Sequence, residues 1–258
     1  MTRALVTGGA RRLGRAMALC LAGRGHDVAI HYDTSRADAE ATAAEARALG
    51  VQAVTLQADL LSEDAAAALL PRAAAALGGP LSVLINNASI FEYDTIRSAT
   101  RESWDRHMGS NLRAPFLLTQ AMAAQGLGPD LSGPEPRATG LIVNMLDQRV
   151  RKLTPEFMTY TLAKMGLWAL TQTSAQALAP AIRVNAIGPG PTLQGARQSD
   201  SHFARQRAAT ILQRGANPAD VTAALGFFLD SPSVTGQLIC TDGGQHLGWK
   251  TPDVLGVE

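Results

Sequence analysis

Seven short apolar runs, separated by stretches of helical periodicity, constrain this chain more than any other feature. The runs are Ala4-Leu5-Val6, Val28 to Tyr32, Val51 to Leu56, Leu81 to Ile85, Leu141 to Met145, Ile182 to Ile187 and Gln237 to Cys240. Runs of this length, dominated by Val, Ile and Leu, are the pattern of strands buried on both faces. Between them a helical pattern passes through Ala16, Leu19, Cys20 and Leu21 and stops at Gly23 and Gly25. Others cover Ala37 to Leu49, Ser62 to Leu77, Trp104 to Ala124, Thr154 to Leu178 and Pro218 to Leu229. Ser62 suits an N-cap, and Gly78-Gly79 a stop. A parallel connection needs a crossover, so the alternation predicts one doubly wound, seven-stranded parallel sheet in a single α/β domain over 1–258.

Composition narrows the function classes. With 23 basic and 22 acidic residues in 258, the net charge of +1 gives no attraction to nucleic acid or an anionic membrane. No apolar run reaches the ~20 residues of a membrane span, and the start leads directly into a strand rather than a signal peptide. Cys20 and Cys240 form no disulfide or metal framework. His26, His31, His107, His202 and His246 lack ligand spacing, so no metal is expected. A cytoplasmic enzyme with a small-molecule substrate is the expectation. The stretch Gly126 to Gly140 reads as an exposed loop.

Thr7-Gly8-Gly9-Ala10-Arg11-Arg12-Leu13-Gly14 lies between the first strand and the first helix. There a glycine turn lets backbone N–H groups and a helix N-terminus face a pyrophosphate. The second strand ends His31-Tyr32-Asp33-Thr34-Ser35-Arg36. An acid at its tip binds a ribose 2′-hydroxyl, whereas cations and hydroxyls accept a 2′-phosphate. Tyr32 occupies the acid's place, and Arg12, Ser35 and Arg36 can meet a phosphate. NADP(H) is therefore favoured, with Asp33 the argument for NAD(H). Asp59 and Leu60, after the third strand, are placed at the adenine edge.

Tyr160 and Lys164 form Tyr-x-x-x-Lys on one helix face. An ammonium beside a phenol is expected to lower the tyrosine pKa and ready it to exchange a proton while hydride moves to the adjacent carbon. Together with the glycine turn, Asp59, Asn86-Asn87-Ala88, Asn111, Pro189-Gly190 and Asp242-Gly243-Gly244, this pair resembles the short-chain dehydrogenase/reductase family over nearly the whole chain. The resemblance implies a Rossmann fold and a nicotinamide site bordered by Asn87, Ala88, Ser89, Pro189 and Gly190. It also implies that Lys164 holds the nicotinamide ribose, that Asn111 supports a proton-relay water, and that the chain is a homotetramer built on the Trp104 and Thr154 helices.

Two departures resemble the pteridine reductase branch. Arg12 stands in place of the loop's middle glycine, and Asp147 stands where serine is usual, thirteen residues before the tyrosine. Asn86-Asn87-Ala88-Ser89-Ile90-Phe91 likewise replaces Asn-Asn-Ala-Gly. A flat pterin fits between a nicotinamide and the Phe91 ring. Ser89 and Arg12 can bond its polar edge or the cofactor phosphates, and Thr192 can add a bond from a substrate loop near 190–216. A partly protonated Asp147 can donate to a ring nitrogen. Blander readings stay open: Phe91 as loop packing, Asp147 as a strand-end cap, and Arg197, Arg205, Arg207 and Arg214 as a solvated basic face or a contact for an anionic substrate tail. The expected activity is NADPH-dependent reduction of a dihydropterin or dihydrofolate C=N bond. Its competitors are a short-chain carbonyl reductase acting on a 3-oxoacyl thioester or a small ketone, and a nucleotide-sensing module without catalysis.

Overall fold

Parallel strands need cover on both faces, and the burial pattern shows how this chain supplies it. The computed structural model describes residues 2–195 and 198–251. Its strands are β1 (Arg3–Val6), β2 (Asp27–Tyr32), β3 (Ala53–Gln57), β4 (Val83–Asn86), β5 (Gly140–Met145), β6 (Ile182–Pro189) and β7 (Leu238–Thr241). The helices are α1 (Arg12–Gly23), α2 (Arg36–Ala48), α3 (Glu63–Ala76), α4 (Arg101–Met108), α5 (Ala114–Ala123), α6 (Met158–Leu178), α7 (Asp200–Ala208) and α8 (Pro218–Asp230). Every residue of β2, β4 and β5 is buried. Successive side chains alternate between faces. Val6, Ile30, Ile85 and Val143 meet α1, α2 and α8 through Met17, Ala43 and Phe228. Leu5, Ala29, Leu84 and Ile142 meet Leu69 of α3, Met122 of α5 and Ala175 of α6. Burying each such Leu, Ile or Phe is worth roughly 1.5–3 kcal/mol.

All seven strands are parallel, in the order β3-β2-β1-β4-β5-β6-β7. The chain winds outward from β1 to β3, returns, and continues from β4 on the other side. The diverging connections leave a crevice at the carboxyl ends of β1 and β4, where such sheets bind ligands. No helix among the described residues is long and apolar enough to cross a membrane.

Two expected helices differ from the structure. The Trp104 to Ala124 helix is interrupted by a π-helical turn, Gly109–Arg113, between α4 and α5. Pro115 explains it: a proline inside a helix lacks an N–H and its ring crowds the carbonyl four residues back, here Asn111. The Thr154 helix starts only at Met158. Glu156 pairs with Thr95 in an isolated antiparallel bridge, and Phe157 takes a left-handed φ of 55°, so the chain cannot coil until after it. Ser62 does cap α3, accepting from the Ala65 N–H at 3.3 Å.

Candidate active site

The glycine turn is held open from three sides. Gly8 has φ +60°, a conformation that costs glycine little. Its N–H donates to His31 Nδ1 at 3.0 Å, and His31 Nε2 reaches the Ala58 carbonyl at 3.0 Å. These partners place the proton on Nε2. Burial lowers the His31 pKa, which keeps the ring neutral in that role. From the residue just after β4, Asn87 Nδ2 donates to the Thr7 and Gly8 carbonyls at 2.8 and 3.2 Å. The Thr7 hydroxyl accepts from the Asn87 and Ala88 N–H groups at 2.8 and 3.0 Å. Thr7 opens the quoted glycine motif, but the role of His31 was not legible in the sequence. It follows from the β1–β2 register, which pairs Val6 with Ile30 and so sets His31 level with Thr7.

Helix α1 begins with no side-chain cap and no acid in its first turn. Its leading N–H groups face the crevice with the dipole's positive end, so the turn suits an anion such as a dinucleotide pyrophosphate. Arg12 adopts φ 53°, a left-handed geometry that favours glycine, at a cost of roughly 1–2 kcal/mol. Its guanidinium donates to the Leu193 and Gln194 carbonyls at 3.0 and 2.8 Å and so ties the turn to the segment after β6. Arg11 is paired with Asp38, Nε to Oδ2 at 2.6 Å, and Leu13 lines the cleft. At the tip of β2, Arg36 Nε donates to the Tyr32 hydroxyl at 3.1 Å, while Asp33 is exposed. Ser35 precedes α2 without a side-chain cap bond. Asp59 is exposed and accepts the Leu61 N–H at 2.9 Å, with Leu60 half-buried beside it.

The carboxyl ends of β4, β5 and β6 bring the remaining groups together. A cleft of about 270 Å³ is lined by Ser89, Phe91, Asp147, Tyr160, Lys164 and Pro189, among others. A larger depression of about 480 Å³, walled by residues 133–137, Pro232 and Ser233, lies apart from them. Asn111, fully buried in the π turn, clamps the β4 loop. It donates to the Ile90 carbonyl and accepts the Ile90 N–H, both at 2.8 Å. Thr192 donates to the Gly190 carbonyl at 3.1 Å, so its hydroxyl proton holds its own loop. Arg207, read as part of a solvated basic face, is a staple instead, donating to the Pro191 and Ala216 carbonyls at 2.8 and 2.6 Å. Arg214 pairs with Asp220 at 3.1 Å, and Arg197 lies outside the described residues.

Lys164 Nζ donates to the Met145 carbonyl at 2.8 Å and sits 5.6 Å from the Tyr160 ring centroid. Burial pushes its ammonium down to about 8, with Asp147 pulling the other way. The Tyr160 hydroxyl donates to Asp147 Oδ2 at 3.1 Å, and Asp147 Oδ1 accepts the Arg149 N–H at 2.8 Å. Asp147 therefore serves both as a cap and as the tyrosine's partner. Its pKa is raised, because burial outweighs the Arg149 N–H, the Arg149 charge, Tyr160 and Lys164.

The expected lowering of the Tyr160 pKa does not hold. It is raised well above its ordinary value by burial first, then by the Asp147 charge and hydrogen bond, against weaker pulls from Arg149 and Ser89. A lysine over the ring face is a poorer partner for phenolate than a carboxylate on the hydroxyl is for phenol. Phe91, 44% exposed, meets Tyr160 edge-on at 4.7 Å. It also stacks on Phe157 at 4.3 Å with 8° between the planes, a contact the sequence did not signal.

The family described as short chain dehydrogenase matches residues 2–204. The chain belongs to the short chain dehydrogenase family. Among solved structures, FolM alternative dihydrofolate reductase 1 from Brucella canis, complexed with NADP, is similar at TM-score 0.89 and 43% identity, over 98% of this chain and 97% of that one. The Brucella suis FolM complex with NADP gives 0.90 and 43%, covering 98% of each. Among curated relatives, the 3-oxoacyl-[acyl-carrier-protein] reductase FabG of Staphylococcus aureus is 30% identical over 249 residues, 95% of this chain and 98% of its own length. The likeness to FolM agrees with the branch that Arg12 and Asp147 resemble.

Proposed function

We propose that this short chain dehydrogenase is an NADPH-dependent reductase of a pterin C=N bond, taking a dihydropterin or dihydrofolate to the tetrahydro form. One observation carries the reading: a carboxyl with raised pKa, Asp147, hydrogen-bonded to Tyr160 where ketone reductases of this family place a serine. An acid there can supply a proton to a ring nitrogen. The 43% identity to NADP-complexed FolM alternative dihydrofolate reductases supports it.

On this reading residues Gly8, Arg11, Arg12, Leu13 and Gly14 hold the pyrophosphate. Tyr32, Ser35 and Arg36 receive the 2′-phosphate, Asp59 and Leu60 the adenine edge, and Asn87, Ala88, Ser89, Lys164, Pro189 and Gly190 the nicotinamide end. When bound, NADPH supplies the hydride. Tyr160 and Asp147 each hold a proton more firmly than in water, and the pair delivers one to the substrate nitrogen before reloading from solvent. Lys164, if charged, stabilises the negative charge left behind. Asn111 keeps Ser89 and Phe91 in place through Ile90, and Arg12, Ser89, Phe91 and Thr192 form the substrate's walls. The segment 190–216 is the substrate loop, and the homotetramer packs through α4 and α6, where Trp104 and Leu162 are exposed. Light scattering at the mass of four chains is the expected result, and a stable monomer would refute that packing.

The test is NADPH oxidation with dihydrobiopterin, dihydrofolate and acetoacetyl thioester in parallel. Turnover confined to the thioester overturns the pterin reading. Asp147→Ser is expected to lower kcat/KM for the pterin about 100-fold, the scale of a lost acid, and to spare any thioester activity. The lysine adds a pH dependence. Its folded pKa of about 8 lies below the ordinary 10.5, so it is charged below about 8 and neutral above. Turnover should hold near neutrality and decline as pH rises through about 8. Lys164→Arg, always charged, should remove that decline from whatever activity remains; a wild-type profile flat through this range contradicts the role given to Lys164.

A further inference from the structure

We infer that Asp94, His107 and Thr159 are a positioning set for Tyr160, with Asp94 acting from the β4 loop as the N-cap that α6 lacks. The inference rests on the reading that Tyr160 delivers the proton. Helix α6 starts after Phe157, whose side chain caps nothing, and its first turn carries no acid. The leading N–H groups of a helix need acceptors. Asp94 provides them from 65 residues upstream: Oδ1 accepts the Thr159 N–H at 3.1 Å, and its carbonyl accepts the Met158 N–H at 3.3 Å. Oδ2 accepts the Thr159 hydroxyl and, at 3.0 Å, that of Ser103. The carboxylate is 2% exposed. Burial alone would raise its pKa, yet these donors and His107 bring it below the usual carboxylate range.

His107 gives the network its direction. Its Nε2 accepts the Glu92 N–H at 3.1 Å, so a neutral ring carries its proton on Nδ1 and donates to Thr159 Oγ1 at 2.7 Å. That leaves the Thr159 proton for Asp94. His107 is fully buried and lies four residues before Asn111. Asn111 holds Ile90 and His107 holds Glu92, so Phe91 is gripped through both neighbours. The next residue after Thr159 is Tyr160, whose ring meets those of Phe91 and His107 at 4.7 and 6.0 Å. The network thus registers the tyrosine on α6 against the aromatic wall on the β4 loop. Small misplacements of a reacting group slow chemistry steeply.

Thr159→Ala and Thr159→Ser test this, with NADPH titration counting folded sites and turnover expressed per bound NADPH. The substrate is whichever of dihydrobiopterin and acetoacetyl thioester the wild type reduces. A failure of the pterin reading then appears in the wild type, and a failure of positioning only in the variants. Thr159→Ala should bind NADPH at wild-type stoichiometry, lose at least about tenfold in turnover per site and show a larger solvent deuterium isotope effect. Thr159→Ser, which restores the hydroxyl, should return to within about threefold of the wild type. Unchanged turnover per site in Thr159→Ala, or a Ser variant as slow as the Ala variant, overturns the inference. If Thr159→Ala does not fold, Asp94→Asn decides by the same readouts. Its amide oxygen can still accept the Thr159 N–H, but its NH₂ cannot accept the hydroxyl.

Discussion

Tyr160→Phe is expected to cut turnover about 10²–10⁴-fold, the range of a lost general acid, while NADPH affinity stays within about threefold. The two effects separate because the phenol and the ammonium are anchored independently. Lys164 is held by the Met145 carbonyl, and nothing in that bond passes through the Tyr160 hydroxyl. Phenylalanine keeps the ring, so the edge contact with Phe91 survives and the wall of the cleft with it. What is lost is the donor to Asp147 Oδ2, a bond worth about 1–3 kcal/mol to the buried carboxyl. Losing that donor should raise the Asp147 pKa further, since the Tyr160 hydrogen bond is one of the contacts that lower it. Stopped-flow NADPH binding alongside steady-state turnover checks the prediction. Parallel loss of binding and turnover would give Tyr160 a structural role. Retained turnover would make Asp147 the proton donor by itself.

That prediction depends on a geometry only partly legible in the sequence. The strands were, because a strand buried on both faces is a short, largely apolar run, and Val28 to Tyr32 and Leu81 to Ile85 are such runs bounded by turn residues. The glycine turn and Tyr-x-x-x-Lys were legible because their spacing is local. Features created by the fold's closure were not. The sequence places Lys164 one turn from Tyr160, which argues for a lowered tyrosine pKa. It does not show that β5 ends with the Asp147 carboxylate on the phenol, which reverses the direction. The start of α6 was hidden for a similar reason. Nothing in Thr154 to Phe157 records that Glu156 pairs with Thr95, or that the cap comes from Asp94. Lone histidines such as His31 and His107 look inert until the backbone groups they serve are brought beside them. The π turn, by contrast, was legible in principle, since Pro115 sits inside the Trp104 to Ala124 pattern.

Gly14→Ala is expected to weaken NADPH binding at least about 100-fold, or roughly 2.7 kcal/mol, even though alanine is the better helix former. Gly14 lies in the first turn of α1, and a Cβ there would stand 2.1 Å from the Gly8 carbonyl oxygen and 2.6 Å from Asn87 Nδ2. Neither neighbour can yield cheaply. Gly8 is fixed by His31 on its N–H and by its left-handed backbone, and the Asn87 amide is spent on the Thr7 and Gly8 carbonyls. The methyl must therefore spread the glycine turn or unwind the start of α1, and either change removes the N–H array argued to hold the pyrophosphate. Forcing a methyl into packed surroundings typically costs about 1–3 kcal/mol, so the melting temperature should fall as well. Gly23, at the other end of the same helix, supplies the control. Nothing lies within 4 Å of a Cβ built there, and Gly23→Ala should leave binding unchanged and stability equal or slightly higher. Because both substitutions raise helix propensity equally, a difference between them isolates the contact with Gly8 and Asn87. Equal NADPH affinity in the two variants would mean that the turn is not the cofactor's cradle.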